Sequence, residues 1–516
     1  MKSEIFLRRV GSKRLKIENT SVGAYLFPLI AAILLVVLES DMLYILQEQN
    51  LFLHTPLFYE QQMVKAGGLL TWNGCYFTQF FYYPMLGAGI LCLLWAFFMW
   101  LCKRAFRLQN LWLTLIPTAC LVLTITTLGY WVYYLKLPGH PFCATIGSIV
   151  TVALVWGYRV IPHRHHLPSV YIVFATSLGY LFFGFYALIA TILIGILSWR
   201  ESKSLWGDAF LAFTQMIFWP IISYHFEFHE TNIVNIYWIA LPMFANQGEW
   251  YFSYYLPYII LFASMTLMAL KPNIKSSKWL NIGIVTVVII GFCLLWNRDD
   301  NLHRELSMTR SIEDGQWDKV LETAKGVKGE PTRLVCMMRN LALYETGTTT
   351  SKGYPDGAKH PAAPFTVHTV HTAGKLLYLQ YGIPNYCYRW CMEDGVEYGW
   401  SVEKLKLMTM CSILNNEFVA AQRYVNLLKK TDFQKQWAKH MEACIQDPRL
   451  IGCSPELRHI LPLLRNDNFL TADQSQQELF LIEHILSTQG DTQEQIRLAE
   501  FTMDYYRNNR QKLVEQ

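Results

Sequence analysis

Over the first 297 residues, apolar runs alternate with short polar breaks; beyond them the long runs stop and charged and amide residues become frequent. The runs fall near 22–38, 84–102, 111–135, 142–160, 169–198, 209–224, 233–246, 251–270 and 279–296. A helix needs about 20 apolar residues to cross hydrocarbon, and several of these runs meet that length. The pattern therefore predicts about seven to nine membrane spans. Segments 209–224 and 233–246 are short and carry polar residues, so each is expected either to cross or to re-enter beside a protein-lined cavity. Segment 169–198 is long enough for one strongly tilted span, or for one that projects beyond the bilayer.

The tail has a different period. Leu302, Leu306 and Ile312, then Trp317, Val320, Leu321 and Ala324, recur at helical spacing around a turn at Asp314 and Gly315. A third helix is expected over 331–345, with Pro331 in its first turn, then a long loop over 347–374. Leu405, Met408, Ile413, Phe418, Ala421, Tyr424, Leu427 and Leu428 fit an antiparallel helix pair, and Ser454, Pro455 and Glu456 suit the start of another helix. Unit length, Trp317 and the Ala420-Ala421…Tyr424 pattern resemble tetratricopeptide-type pairs, which build concave surfaces for a peptide or partner domain. A plain helical bundle capping the first region is the alternative. The predicted fold class is all-α: a polytopic membrane domain over 1–297 with a large first outer loop at 39–83, then a soluble, tetratricopeptide-like helical domain over 298–516.

Composition agrees with this division: 53% of the 516 residues are hydrophobic and only 16% charged, low for a soluble chain of this size. The net charge of +5 is not gathered into a stripe, so nucleic acid is not expected as a partner. The basic residues sit in short loops, where they set orientation. The groups Lys2 to Lys16, Lys103 to Arg107, Arg159 to His166 and Lys271 to Lys278 fall on one side if 39–83 and the tail face the other. That places the N-terminus in the cytoplasm and the tail in the periplasm of a bacterial inner membrane, with 136–141 and 199–208 also outside. The basic start reads as the flank of a retained span rather than a cleaved signal. The twelve cysteines contain no CxxC pair, so a periplasmic tail permits disulfides without specifying them.

Candidate chemistry gathers where the large loop meets the tail. Glu39 and Asp41 stand at the outer end of the first apolar run. The loop that follows holds Leu43, Leu46, Leu51, Phe52 and Leu53, suited to lying along the interface, then an aromatic run from Tyr76 to Tyr83. Gly67 and Gly68 permit a tight turn, and Pro84 suits the first turn of the next span.

The segment KAGGLLTWNGCYFTQFFYYPMLGA resembles a family of uncharacterised multi-pass membrane proteins of Bacteroidetes, in particular at Gly67-Gly68 and Gln79 to Pro84. The order of elements, with Glu39-Ser40-Asp41 just after the first span, is similar to the polyprenyl-phosphate-sugar-dependent membrane glycosyltransferases of the C superfamily. That resemblance implies transfer of a sugar from a lipid-phosphate carrier on the outer face. Glu39 or Asp41 would take the acceptor's proton or hold a divalent cation that neutralises the leaving phosphate. Lys65 and Arg200 are candidates for the phosphate, with His140 behind them, and Arg200 can offer a planar fork. Acids at a helix end outside the hydrocarbon also occur without any catalytic role, and the aromatic run has an ordinary structural reading.

Other stretches add less. His225, Glu227, His229 and Glu230 are close in sequence, but the glutamate stands at the wrong offset for a zincin motif. The HRHH run at 163–166, between two prolines, suits headgroup contact. Gly184 suits close helix approach. Asp208 and Glu249 are secondary site candidates. The alternative to an enzyme is an envelope-assembly scaffold that recruits a protein or glycan partner through its tail. Transport ranks below both, because ionisable residues are scarce between 84 and 198.

Overall fold

The structure, a computed structural model, describes residues 23–464 apart from 163–165, 202–205, 230, 247, 272, 328 and 348–367. The described part is almost entirely helical; its one sheet is a two-residue hairpin pairing Ala245–Asn246 with Glu249–Trp250. Among the described residues, five helices are long and apolar enough to cross a membrane: Pro84–Phe106, His140–Val160, Trp206–Phe226, Phe252–Leu270 and Lys278–Leu295. Gly23–Leu38 and Ser40–Glu48 reach that length and hydropathy only when taken together, and they are bent by 81° between them. Along Lys278–Leu295 most apolar side chains face outward, Trp279 and Leu294 most of all, and only Ile284 and Val288 are buried, which a surrounding of lipid accommodates. Within the bundle, Thr118, Ser148, Thr151, Thr176, Thr191 and Ser198 each return a hydroxyl to the carbonyl four residues back. Their polarity is thereby satisfied inside the helix.

Two sequence expectations are corrected. Segment 169–198 is two helices, Leu167–Phe183 and Phe185–Glu201, folded back at Gly184. Gly184 has φ +56°, and a Cβ there would lie 2.7 Å from the Ile239 carbonyl oxygen, so only glycine fits the turn. The pairing of Thr176 with Thr191 at 2.8 Å and of Gly179 with Ala187 shows the antiparallel return. Segment 233–246, left open between crossing and re-entering, does not form a spanning helix. It is a 3-10 turn, further turns and half of the hairpin, and it packs on the Gly184 turn, where the Phe185 N–H donates to Ile239 and the Tyr180 hydroxyl to Ile236. Segment 209–224 lies within one continuous helix, Trp206–Phe226.

The two corrections offset each other, because one extra helix is gained and one lost. Residues 39–83, the Gly184 turn, the 233–250 hairpin region and the tail all meet at one end of the bundle. Arg107, Arg159, Arg200 and Lys271 meet at the other. Arg200 and Glu201 therefore sit at the basic end, opposite to the side expected for them.

From Asp300 the chain forms successive helices, each packed on the next: Asp300–Glu313, Trp317–Lys325 and Arg333–Glu345, then Gly374–Gln380, Pro384–Tyr398, Val402–Leu414, Phe418–Leu428 and Lys435–Gln446. The turn at Asp314 and Gly315 is present, with Gly315 at φ +65°. The third helix starts at Arg333 rather than at Pro331, because the Thr332 hydroxyl caps it by accepting from the Val335 N–H. No α-helix begins at Ser454; residues 455–464 are turns and a short 3-10 segment. The expected loop over 347–374 falls mostly outside the described residues. All twelve cysteines are free thiols.

Candidate functional site

Glu39 occupies the bend between the first apolar helix and Ser40–Glu48. Its side chain is 2% exposed. It accepts from Trp296 Nε1 at 2.6 Å and faces His303 Nε2 at 3.2 Å. These partners are the end of the last apolar helix and the first helix of the tail. The hydrogen bond to Glu39, against the opposing effect of burial, raises the His303 pKa to about 9. Asp41 accepts from Arg310 Nη1 at 3.1 Å, and that guanidinium lies over the Tyr44 ring at 4.7 Å. Both acids thus face the Asp300–Glu313 helix.

The same docking continues along the loop. Glu48, fully buried, meets Lys406 at 3.4 Å, and Gln49 donates to Glu403 at 2.7 Å. Burial raises the pKa of Glu48 and pushes Glu313 up to about 8. Phe433 of the tail stacks on Tyr82 at 5.4 Å and meets Phe80 and Tyr83 edge-on. Gln79 and His54 share Asp432, at 2.7 and 2.9 Å. The aromatic run from Phe80 to Tyr83 therefore grips the tail.

Behind this seam lies a cavity of about 660 Å³, within the usual range for a small-molecule site. Three parts of the chain wall it: the first loop between Leu46 and Thr78, the 132–141 segment, and tail residues between Glu397 and Lys430. Much of the wall is leucine and proline. Its cations are Lys65, Lys136 and Lys430, and its one carboxylate is Glu397, paired with Lys136 at 2.5 Å. Glu39 and Asp41 do not line it.

Lys65 is held there by the glycine pair. Gly67 at φ +79° turns the chain between the Pro56–Met63 and Gly68–Thr78 helices, and its N–H donates to the Leu181 carbonyl. A Cβ at Gly67 would lie 2.9 Å from Ala240 Cβ, and one at Gly68 2.2 Å from the Gln62 carbonyl oxygen. The ammonium has no hydrogen-bond or ion-pair partner among the described residues. Burial lowers its pKa, and the ionisable groups acting on it are the thiols of Cys75 and Cys143. His140, at the same wall, has Nε2 3.0 Å from the Thr124 carbonyl oxygen.

Arg200 does not join Lys65. It lines a separate cavity of about 630 Å³ at the opposite end with Arg107, Arg159, Glu201 and Lys271, and its Nη1 donates to the Ala269 carbonyl. The expected phosphate pair is thus split, because the turn at Gly184 reverses the helix that carries Arg200. Asp208 is buried at the start of Trp206–Phe226 and accepts from Ser169 at 2.6 Å. Glu249 is exposed in the hairpin. Glu230 and residues 163–165 of the HRHH run lie outside the described residues. Among the described residues, no group of three or more His, Cys, Asp or Glu side chains is arranged to hold a metal ion.

The sequence matches one family over residues 15–506. The chain belongs to DUF6057, a family of unknown function. No curated protein and no solved structure matches it.

Sequence reasoning found Lys65 but missed Lys136, Glu397, Tyr424 and Lys430, which complete the cavity. They come from two regions far apart in the chain, and no spacing links them. The one legible cue was Lys136 itself, a lone cation in the short 136–141 segment already assigned to the outer side.

Proposed function

We propose that this DUF6057 member is a multi-pass protein of the bacterial inner membrane whose first loop and tail form a periplasmic cap over a site for the phosphate-bearing head of a membrane lipid, such as a polyprenyl phosphate. Lys65 carries this reading. A half-buried ammonium with no carboxylate partner among the described residues has lost part of its hydration, and an entering phosphate would offset that cost in a cavity whose leucines and prolines suit an isoprenoid or acyl chain. The orientation is supported by Arg200 joining Arg107, Arg159 and Lys271 at one end, which adds Arg200 to the positive-inside pattern. The sequential helix pairs of the tail support a tetratricopeptide-like scaffold that seats the cap and offers its far side to a protein or glycan partner.

Transfer of a sugar from the lipid phosphate is a second reading, favoured by Glu397 standing in the same cavity as Lys65. Glu397 would be the general base, while Glu39 and Asp41 hold the cap in place. The test is binding of a polyprenyl monophosphate to the full chain in nanodiscs, read by native mass spectrometry. Lys65→Gln should weaken binding roughly tenfold or more. Undiminished binding by a folded Lys65→Gln protein would remove the proposal. If binding follows the prediction, loss of sugar transfer in Glu397→Gln with binding retained would favour the enzyme; transfer at the wild-type rate would exclude Glu397 as its base.

A further inference from the structure

The second large cavity lies at the basic end, away from the proposed lipid site. Its walls are Arg107, Arg159, Arg200, Glu201, Leu270, Lys271, Asn273 and Ile274, enclosing about 630 Å³. Four cationic side chains face one acid. A simpler account is that these cations complement helix C-termini, since Pro84–Phe106, His140–Val160, Phe185–Glu201 and Leu256–Leu270 all end here. That account serves Arg200, whose guanidinium is spent on the Ala269 carbonyl and on Glu201. It does not serve Arg159.

Arg159 has a side chain only 3% exposed. Its Nη2 donates to Glu201 at 2.5 Å, but Nε and Nη1 are buried with no acceptor among the described residues. Arg107 and Arg200 act on it as like charges. Arg107 is placed at the cavity by an unusual backbone: it closes the Pro84–Phe106 helix at φ +53°, a conformation non-glycine residues seldom adopt. A buried guanidinium that lines a roomy cavity beside two further cations, with two of its donors unused, is built to receive an oxyanion.

We infer that the Arg107–Arg159–Lys271 cavity is a binding site for a phosphate group, distinct from the Lys65 cavity and at the other end of the bundle. A phosphate oxygen accepts from the free donors of Arg159, while Arg107 and Lys271 neutralise the remaining charge. The same chemistry comes from the headgroup of an anionic phospholipid or from free phosphate, and Glu201 keeps Arg159 oriented in either case.

The test uses the full chain in a zwitterionic detergent. Binding of inorganic phosphate, phosphatidylglycerol and phosphatidylcholine is measured separately by native mass spectrometry. The wild type should retain one equivalent of phosphatidylglycerol or of phosphate more firmly than phosphatidylcholine, and the stronger of the two identifies the source. Arg159→Gln should reduce that binding roughly tenfold or more. Because Arg159 is buried and its replacement risks the fold, Arg107→Asn and Lys271→Gln carry the test as well; asparagine tolerates the left-handed backbone at 107. Both should weaken binding while keeping the wild-type melting curve. The inference is overturned if the wild type holds neither anionic probe above phosphatidylcholine, or if folded Arg107→Asn and Lys271→Gln proteins bind undiminished.

Discussion

Replacing Glu39 by glutamine should uncouple the first tail helix from the apolar bundle in a pH-dependent way. In the structure His303 Nε2 lies 3.2 Å from the Glu39 carboxylate, and its pKa is raised from 6.5 to about 9. At 1.36 kcal/mol per unit this corresponds to about 3 kcal/mol of coupling. The imidazole is 30% exposed, and solvent screening reduces the figure to about 2 kcal/mol. A pKa raised by folding means the protonated histidine stabilises docking fully below 6.5, and that stabilisation is lost as pH rises through about 9. Hydrogen exchange of the Asp300–Glu313 amides reads this locally, after correction for base catalysis. The wild-type helix should open roughly 30-fold more readily above the upper limit than below the lower one. Glu39→Gln should remove that dependence and exchange fast throughout. Glu313, pushed up to about 8, also titrates in this window, so the difference between the two proteins is the informative quantity. Superimposable pH profiles for wild type and Glu39→Gln would refute the latch.

Other perturbations follow from the same geometry. Asp41→Asn should cost no more than about 1 kcal/mol, because the Asp41–Arg310 pair is a third exposed on both sides; exchange in the same helix would show it. Asp394→Asn should cost about 3–5 kcal/mol by leaving the fully buried Lys375 ammonium, now 2.7 Å from Asp394, without its counter-charge, measurable by thermal unfolding of the full chain. Burial opposes ionisation of Asp394, but Lys375 and His371 outweigh it and hold its pKa down to about 2. Its contribution should therefore persist above 3.8 and fade only as pH falls through about 2. Gly184→Ala should destabilise the bundle by about 2 kcal/mol or more, from the left-handed backbone and the approach to Ile239, and should raise protease sensitivity in the 233–246 segment.

The helical class and most of the apolar helices were legible because length and hydropathy carry that information directly. The split at Gly184 was not, since a glycine inside an apolar run reads equally as a packing contact or as a turn, and only the 233–246 segment seated against it decides. That one turn moved Arg200 from the expected phosphate site to the opposite end. Glu39 and Asp41 were noticed for the right reason, as acids at the edge of hydrocarbon. Their partners His303 and Arg310 lie more than 260 residues away, beyond the reach of any local pattern. The glycine pair was readable as a tight turn, but not that it would present Lys65 to a cavity closed by the tail.

The central claim is that the loop and the tail together enclose a lipid-phosphate site around Lys65. Its most direct test is photocrosslinking with a polyprenyl phosphate carrying a diazirine beside the phosphate, followed by peptide mapping. Label should appear both in the loop around Leu53 to Lys65 and in the tail around Tyr424 to Lys430, and should fall in both places together in Lys65→Gln. Label confined to the basic end, or unchanged in Lys65→Gln, would contradict the claim.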